Sequence, residues 1–379
     1  MKFDFKYYIP SLIHFRSGIT NDIEKFIKEL SITRILIVTD PKISSLSWFK
    51  ALIEKINYSK VVFVFDRVHC EPSDDDVNSI ISYAANKNIN GIVGIGGGSC
   101  MDCAKCVAAA LSNDCSTIEL FLRPQMKPVL RKIPLILIPT TAGTGAEITR
   151  GAVIIDKKRK TKRGFGNGGY YADIVLINPD LGCTLSQDQI ATSGLDALCH
   201  AIESFLVNQT HPICKIWSYN ALKLIWDNLP KMYIDNDSYS RENMFLGSLL
   251  ATMSFSTGVG LTFSHHISDV LGGTYEIPHG YASYYTLPYT IKLFMENGRN
   301  KSEIEALGDV FGSTDISTAL ENLSNILKVP NYNKYFDPLS NAEIDTIYNR
   351  ILENSYRASG LVGDDLLRVL RHSFLNKNI

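Results

Sequence analysis

The hydrophobic positions in the first half of the chain alternate between short apolar runs and segments with helical spacing. The apolar runs are rich in β-branched residues and predict strands at 34–39, 61–65, 91–95 and 133–138. Helical spacing separates them at 46–56, at 74–86 and from the third strand to about residue 112. Strands that alternate with helices in this way predict a parallel sheet covered on both faces.

The second half has a different pattern. From Ser186 onward the apolar positions follow a helical period, and Ser186 with Gln189 fits a capping box at the start of a helix. Further helices are predicted at 211–228, 239–253, 283–297, 314–327, 341–357 and 364–375. The predicted fold is an α/β domain, 1–182, followed by an all-helical domain, 183–379. A ligand site is expected in the cleft between the two predicted domains.

The segment 192–203, TSGLDALCHAIE, carries the first candidate metal ligands. Asp196 and His200 are four residues apart in a segment with helical spacing, so their side chains lie one turn apart on the same face. Carboxylate and imidazole groups are ordinary ligands of divalent cations. The same pair is also typical of a surface contact or a satisfied core contact, so further ligands are needed to favour a metal site.

A second cluster of candidate ligands follows at 264–280, SHHISDVLGGTYEIPHG. The chain has eight histidines, and three of them, His265, His266 and His279, fall in this window. An aspartate and three histidines around one ion would make a four-ligand site that a substrate oxygen completes. The alternative is a surface pair at 265–266 and a loop histidine at 279. Two clusters together favour the metal site.

Two polar loops follow neighbouring predicted strands. The loop at 96–99, GGGS, precedes a helix; its glycines let backbone N–H groups approach a phosphate, and the helix N-terminus favours negative charge. The loop at 140–145, TTAGTG, offers three hydroxyls and two glycines. Each loop is also compatible with a simple turn, and neither has the G-x-G-x-x-G fingerprint. Their positions at strand ends predict one shared nucleotide site.

Two further features bear on the nucleotide. Asp40 ends the first predicted strand, where a carboxylate can accept from a ribose hydroxyl and repel a 2′-phosphate, which favours NAD over NADP. A turn aspartate before a proline is the alternative. The basic run 156–163, DKKRKTKR, is interpreted as a solvated hairpin from which one lysine could reach the cofactor. It is too short, and lacks the interleaved aromatics, for a nucleic-acid surface.

The composition is that of a globular protein. The chain has 379 residues, of which 45% are hydrophobic and 20% charged, and this length suits two domains. The net charge of -1 gives no global attraction to nucleic acid or to anionic membranes. No signal peptide and no membrane-spanning run is predicted. Eight cysteines, several of them in apolar segments, favour free thiols and a cytoplasmic protein.

Three of these cysteines, Cys100, Cys103 and Cys106, form a C-x-x-C-x-x-C run that superficially resembles an iron–sulfur motif. The surrounding segment has helical character, and a spacing of three places the thiols along one stripe of the helix. The run is therefore interpreted as a buried helix face.

With these motifs in order, the chain resembles the iron-containing alcohol dehydrogenase family over nearly its whole length. The resemblance rests on GGGSCMDCAK (96–105), TTAGTGAE (140–147), NPDL (178–181), GLDALCHAIE (194–203) and LGGTYEIPHG (271–280). It implies a Rossmann-like N-terminal domain and an all-helical C-terminal domain, a plan shared with dehydroquinate synthase. It also implies an NAD(P)-linked oxidoreductase that interconverts a small alcohol and its aldehyde or ketone. A divalent metal, Fe²⁺ or else Zn²⁺, and a homodimer are further implications.

The resemblance also implies roles for individual residues. The metal ligands fall on Asp196, His200, His265 and His279. The cofactor contacts fall on Asp40, Gly97, Gly98, Ser99, Asp102, Thr140, Thr141, Thr144, Lys162 and Leu181. Among them, Asp102 matches an aspartate near the nicotinamide, and Lys162 matches a lysine that reaches the ribose. Asp102 and Asp269 are the candidate catalytic residues.

Departures from the family pattern leave other functions open. Asp269 stands where many members have a histidine, so proton exchange is expected to run through the ribose hydroxyls, a water or Asp269. Arg16 stands where glycine is common. The segment SHHISDVLGG is also similar to maleylacetate reductases, which act on a keto diacid. A lyase of the dehydroquinate-synthase type, which uses NAD without releasing NADH, is the remaining alternative.

Overall fold

The computed structural model describes residues 5–113, 133–158, 161–166, 168–207, 211–256, 260–354 and 363–375. These residues form two compact units. The first, named the α/β unit, consists of Tyr8–Thr141 and Gly145–Cys183. The second, named the helical unit, consists of Thr184–Ile379 together with Ala142–Thr144 and residues 5–7. The short segment 142–144 thus groups with the helices, although the residues on either side of it belong to the α/β unit.

All strands of the described segments lie in the α/β unit. They are β1 (Leu12–Phe15), β2 (Arg34–Val38), β3 (Val61–Phe65), β4 (Gly91–Gly96), β5 (Leu135–Pro139), β6 (Gly151–Asp156), β7 (Thr161–Gly166) and β8 (Ile174–Ile177). Six of them form a parallel sheet in the order β1-β8-β5-β4-β2-β3. Strands β4 and β5 are buried along their whole length. This burial explains why they appear in the sequence as continuous apolar runs.

Five helices accompany this sheet in the described residues: α1 (Ile23–Glu29), α2 (Pro41–Ser45), α3 (Ser47–Asn57), α4 (Asp74–Ala84) and α5 (Gly98–Asn113). The predicted strands are found within two residues of their expected bounds. Strand β1 and helix α1 were not predicted. Each is short, and β1 is an edge strand that pairs with β8 alone, so neither has a long periodic pattern.

Nine described helices form the helical unit. They are α6 (Gln187–Leu206), α7 (Pro212–Ile234), α8 (Ser238–Phe255), α9 (Phe263–Tyr275), α10 (His279–Glu296), α11 (Lys301–Phe311), α12 (Ile316–Ile326), α13 (Asn341–Asn354) and α14 (Gly363–Phe374). The predicted capping box is confirmed: the Ser186 hydroxyl accepts from the Gln189 backbone N–H, and the Ser186 N–H donates to the Gln189 side chain. The predicted helix end at 355–357 lies outside the described residues.

Helices α9 and α11 were not predicted, and α10 begins at His279 rather than near 283. A glycine pair at 272–273 weakens the helical pattern of α9. Pro278 precedes His279 as the N-cap residue of α10, so the histidine predicted in a loop is the first residue of a helix. No helix in the described ranges is long and apolar enough to cross a membrane.

Candidate metal centre and nucleotide-binding loops

Helix α6 carries the first two predicted metal ligands on one buried face. Asp196 and His200 are 2% and 5% exposed. Their separation of four residues brings the His200 Nε2 atom to 4.0 Å from the Asp196 Oδ1 atom. The helical spacing read from the sequence therefore sets the relative position of the carboxylate and the first imidazole.

Helices α9 and α10 add the other two imidazoles. The Nε2 atoms of His265 and His279 lie 3.4 Å and 3.8 Å from the same Asp196 Oδ1 atom. One ligand atom from each of Asp196, His265 and His279 falls within 4.8 Å of the other two. The three imidazole Nε2 atoms thus lie within 4.0 Å of one carboxylate oxygen, while His200, the farthest of them, falls outside the compact group of Asp196, His265 and His279.

A close helix contact allows this arrangement. Gly280 follows His279, and a Cβ atom built at Gly280 would lie 1.8 Å from the carbonyl oxygen of Thr192 on α6. Only glycine permits the start of α10 to approach α6 this closely. The rings of His200 and His265 stack with their centroids 4.3 Å apart. The imidazoles are therefore held by packing as well as by charge.

The donor set fits a divalent cation. The Asp196 Oδ1 and His265 Nε2 atoms are buried, and neither makes a hydrogen bond within the described part of the chain. A buried polar atom without a partner costs free energy, and a cation among these atoms would remove that cost. One carboxylate oxygen with imidazole nitrogens suits Fe²⁺, Zn²⁺ and neighbouring transition metals.

Burial and neighbouring charges shift the pKa values of three of these side chains in different directions. Burial opposes ionisation of Asp196, but the charges of His200 and His279 and the contact with His265 outweigh it, so the pKa of Asp196 is lowered. Burial lowers the pKa of His200 to about 4, against the attraction of Asp196. Burial also acts to lower the pKa of His265, but the charge of Glu203 and contacts with both carboxylates raise it to about 10.

Two of the three loops that carry predicted cofactor contacts follow adjacent strands of the α/β unit. Gly96 at the end of β4 is paired with Pro139 at the end of β5, and the Thr140 N–H donates to the Gly96 carbonyl at 3.0 Å. The predicted pairing of the two loops on neighbouring strands is therefore confirmed. Gly96 has a φ of +150°, and a Cβ atom there would lie 2.6 Å from the Cys100 Sγ atom. A glycine is required at this turn.

The third loop follows β2, the other neighbour of β4. Its Asp40 caps α2: the Oδ1 atom accepts from the backbone N–H groups of Lys42 and Ile43 at 2.8 Å and 2.9 Å. The Oδ2 atom lies 3.7 Å from the Cys100 Sγ atom. Asp40 therefore has the turn role that was the alternative interpretation. It has this role at the strand end where the ribose contact was predicted.

The hairpin of β6 and β7 holds the predicted cofactor lysine. The basic run does belong to a hairpin, but its second strand, β7, begins inside the run at Thr161 and was not predicted; residues 159–160 lie outside the described residues. The Lys162 side chain is 4% exposed, and its Nζ atom lies 2.5 Å from the Glu71 Oε2 atom. The Glu71 N–H in turn donates to the Ser99 hydroxyl at 3.3 Å. Lys162 and the glycine loop are therefore joined through Glu71.

Comparisons with known proteins decide the family. Residues 10–179 match the family described as iron-containing alcohol dehydrogenase, and residues 190–347 match its C-terminal domain family. The chain belongs to the iron-containing alcohol dehydrogenase family. A 4-hydroxybutyrate dehydrogenase from Clostridium kluyveri is 31% identical over 319 residues, 82% of this chain and 84% of that protein. An NAD-dependent methanol dehydrogenase from Bacillus methanolicus is 29% identical over 87% of this chain and 86% of that enzyme.

Solved structures of the family have the same fold. An iron-containing alcohol dehydrogenase from Thermotoga maritima is 26% identical, with a TM-score of 0.84 over 97% of this chain and 99% of that chain. A sulfoacetaldehyde reductase from Bifidobacterium kashiwanohense, solved in complex with NAD⁺, is 25% identical. Its TM-score is 0.86 over 98% of this chain and 99% of that chain. This chain is accordingly an alcohol-dehydrogenase-type oxidoreductase with an α/β part and a helical part.

Asp102 on α5 is hydrogen-bonded to the hairpin of β6 and β7. Its Oδ2 atom accepts from the Val153 N–H at 2.9 Å, and its Oδ1 atom lies 3.3 Å from the Nζ atom of Lys105. Lys105 is fully buried and also donates to Thr149 Oγ1 and to the Gly151 carbonyl. Burial raises the pKa of Asp102, against the charge of Lys105. Lys105 was not among the residues predicted from the sequence, although its spacing of three from Asp102 on α5 indicates contact.

The remaining predicted residues fall in varied surroundings. Thr140 is buried, and Thr141 is half-buried beside Gly97. Gly98 is the first residue of α5, Thr144 lies in the segment that groups with the helical unit, and Leu181 is part of the apolar core of the α/β unit. The Cys100, Cys103 and Cys106 thiols are buried, as a helix face predicts.

Asp269 lies on α9, one turn after His265, and is half-buried. Burial lowers the pKa of the neighbouring His266, and the charge of Asp269 partly offsets this. His266 is not a member of the candidate ligand cluster.

Glu203 is the functional candidate that the sequence analysis did not select. Its carboxylate is fully buried, with the Oε1 atom 2.7 Å from the His265 Nδ1 atom. Asp196, His200 and Glu203 follow one another at intervals of four and three on α6. That spacing places all three on one stripe of the helix, and it could have revealed Glu203 from the sequence.

Proposed function

We propose that Asp196, His200, His265 and His279 bind one divalent cation, Fe²⁺ in the native enzyme with Zn²⁺ as the alternative. The observation that carries this proposal is the set of three imidazole Nε2 atoms at 3.4–4.0 Å from a single buried Asp196 oxygen. When bound, the cation supplies a Lewis acid for the substrate oxygen. The protein would contribute one negative charge and three imidazole rings as ligands.

The nucleotide would be NAD, held by the loops that follow β2, β4 and β5. Backbone N–H groups at Gly97, Gly98 and Ser99, at the start of α5, would bind the pyrophosphate. Lys162 would contact the ribose from the hairpin, with its ammonium group kept in place by Glu71. Asp40 supports NAD over NADP because its carboxylate lies at a strand end, where a 2′-phosphate would meet negative charge.

The reaction would be reversible hydride transfer between the carbon of a small alcohol and the nicotinamide. The related enzymes are named for 4-hydroxybutyrate, methanol and sulfoacetaldehyde, all small molecules with a terminal alcohol or aldehyde carbon. We therefore assign a small alcohol or aldehyde as the substrate class. Asp269 would exchange the proton with the substrate oxygen, directly or through a water. Asp102 would shape the hairpin next to the cofactor.

None of the described cysteines forms a disulfide, which supports a reducing compartment such as the cytoplasm. By analogy with its family, the enzyme would act as a homodimer. Light scattering of the purified protein measures the mass of the particle directly, and a monomer would contradict the assignment of a dimer.

Metal reconstitution tests the proposed function. The protein is stripped of metal, loaded with Fe²⁺ or with Zn²⁺, and assayed for NADH formation from a panel of small primary alcohols. We expect NADH formation only with metal present, and a different rate for each metal. Turnover of substrate without net NADH would instead indicate a lyase of the dehydroquinate-synthase type. Preference for a keto diacid would indicate the maleylacetate reductase branch.

A further inference from the structure

The carboxylate of Glu203 connects two parts of the candidate metal centre. Its Oε1 atom lies 2.7 Å from His265 Nδ1. Its Oε2 atom accepts from the Thr262 backbone N–H at 2.7 Å and from the Thr262 hydroxyl at 2.8 Å. Thr262 is the N-cap residue of α9, three residues before His265. Glu203 on α6 therefore contacts both the ring of His265 and the start of the helix that carries it.

This contact determines which nitrogen of His265 faces the other ligands. A carboxylate accepts from Nδ1–H, so Nδ1 is occupied and Nε2 points toward Asp196, at 3.4 Å. A metal-bound histidine needs its second nitrogen held in this way, because that hydrogen bond fixes the ring and raises its basicity. Glu203 is fully buried, and all three of its hydrogen bonds are made to this region.

His279 provides an internal comparison. Its Nδ1 atom lies 3.2 Å from the hydroxyl oxygen of Ser268, and that hydroxyl donates to the His265 carbonyl. The ring of His265 is thus held by a charged acceptor, the Glu203 carboxylate, and the ring of His279 by a neutral one, the Ser268 hydroxyl. Hydrogen bonds to ionised groups are shorter and about twice as strong as neutral ones. The larger contribution to metal binding is therefore expected from the carboxylate.

We propose that Glu203 is a positioning residue of the metal centre: it orients His265 with Nε2 toward the cation and fastens the start of α9 to α6. This inference depends on the proposed metal site. It predicts that Glu203 influences metal affinity through His265 and has no part in nucleotide binding.

The test compares Glu203→Gln, which keeps the size of the side chain and removes its charge, with Ser268→Ala as the matched control. Zn²⁺ affinity is measured by competition with a chelator, the ligand environment by the visible spectrum of the Co²⁺-loaded protein, and NADH affinity by fluorescence. For Glu203→Gln we expect Zn²⁺ affinity about 10- to 100-fold weaker, an altered Co²⁺ spectrum and unchanged NADH affinity. Ser268→Ala should lose less Zn²⁺ affinity than Glu203→Gln.

A double-variant experiment separates positioning from general structural damage. In a His265→Ala background, Glu203→Gln should weaken Zn²⁺ binding no further, because the residue through which it acts is absent. If Glu203→Gln does not fold, Thr262→Val replaces it, and a severalfold loss of Zn²⁺ affinity is expected. Zn²⁺ affinity and a Co²⁺ spectrum equal to those of the wild type in the folded variant would overturn the inference. Failure of the wild type to bind Zn²⁺ or Co²⁺ would instead overturn the proposed function.

Discussion

The candidate metal centre and the candidate nucleotide-binding loops are built from different parts of the chain. The metal centre uses side chains from α6, α9 and α10 that converge on one oxygen atom. The loops after β2, β4 and β5 combine backbone N–H groups with side chains such as Asp40 and Thr140, and the path of the chain is set by residues such as Gly96. A centre made of side chains depends on individual atoms, whereas a site spread over three loops depends on the path of the chain. Single substitutions should therefore abolish the first function and weaken the second by degrees.

The largest effect is expected from His279→Ala. Loss of one imidazole removes a ligand, and the Lewis-acid contribution to catalysis is worth several kcal/mol, so turnover should fall by about 10³-fold or more. Steady-state rates measure this loss, and fluorescence titration should find NADH affinity unchanged. His266→Ala is the matched control, because His266 neighbours a ligand but lies outside the cluster. Full activity of His279→Ala would remove that residue from the metal centre.

Gly96→Ala should have the next largest effect, this time on the nucleotide. The added Cβ atom would lie 2.6 Å from the Cys100 Sγ atom at a φ of +150°. Backbone strain of this kind costs about 1–3 kcal/mol, and a loop that relieves it by shifting away from the nucleotide should bind NADH up to about 100-fold more weakly, while Zn²⁺ affinity stays the same. Gly312→Ala is the control, since Gly312 also has a positive φ but no atom nearby. Equal NADH affinity in both variants would contradict the assigned loop.

A smaller loss is expected for Lys162→Met. The substitution removes the ammonium group that pairs with Glu71 beside the glycine loop. One lost hydrogen bond from a charged group should raise the Kd for NADH by up to about tenfold. Lys157→Met on the same hairpin is the control, because its ion pair with Asp75 is exposed and contributes little. If Lys157→Met weakens NADH binding as much as Lys162→Met, the contact assigned to Lys162 is wrong.

The smallest functional effect is expected from Glu147→Gln, which should change stability instead. Burial raises the pKa of Glu147 to about 7 from 4.5, against the charge of Lys105. A raised pKa favours the neutral form in the folded state, so the stability that it contributes is present below pH 4.5 and is lost as the pH rises through 7. The loss amounts to about 3 kcal/mol at most.

Urea unfolding between pH 4.5 and pH 8 checks this prediction. The wild type should lose stability across that range relative to Glu147→Gln. Parallel curves for the two proteins would show that the Glu147 carboxyl is not responsible.

The candidate metal ligands could be selected from the sequence because helical spacing translates directly into geometry. Asp196 and His200 are one turn apart, and a chain with eight histidines has few chance clusters. Glu203 was missed because a glutamate in an apolar segment has many ordinary explanations. Its role depends on the distance to His265, 62 residues away along the chain, and no local pattern contains that distance.

Elements of the fold were predicted where the periodic pattern is long. They were missed where contacts between distant segments set the position of the element. Strands β2 to β5 were located from apolar runs, and the helices of the second half mostly from their period. The start of α10 at His279 depends on a contact between Gly280 and Thr192, which no local spacing predicts. Lys162 was predicted to reach the cofactor from the hairpin, but its ion pair with Glu71 was not predicted, because that partner comes from another segment of the chain.

The grouping of 142–144 with the helical unit has a practical consequence for protein engineering. The Gly143 carbonyl accepts from the Ser248 hydroxyl at 3.2 Å, and a Cβ atom at Gly143 would lie 2.6 Å from the Ser193 carbonyl. An expression fragment that starts at 184 would lack this tripeptide, leave the Ser248 hydroxyl to find another acceptor and open a gap beside α6. Attempts to isolate the metal-binding half should graft those three residues back in, since a simple cut of the gene would omit them.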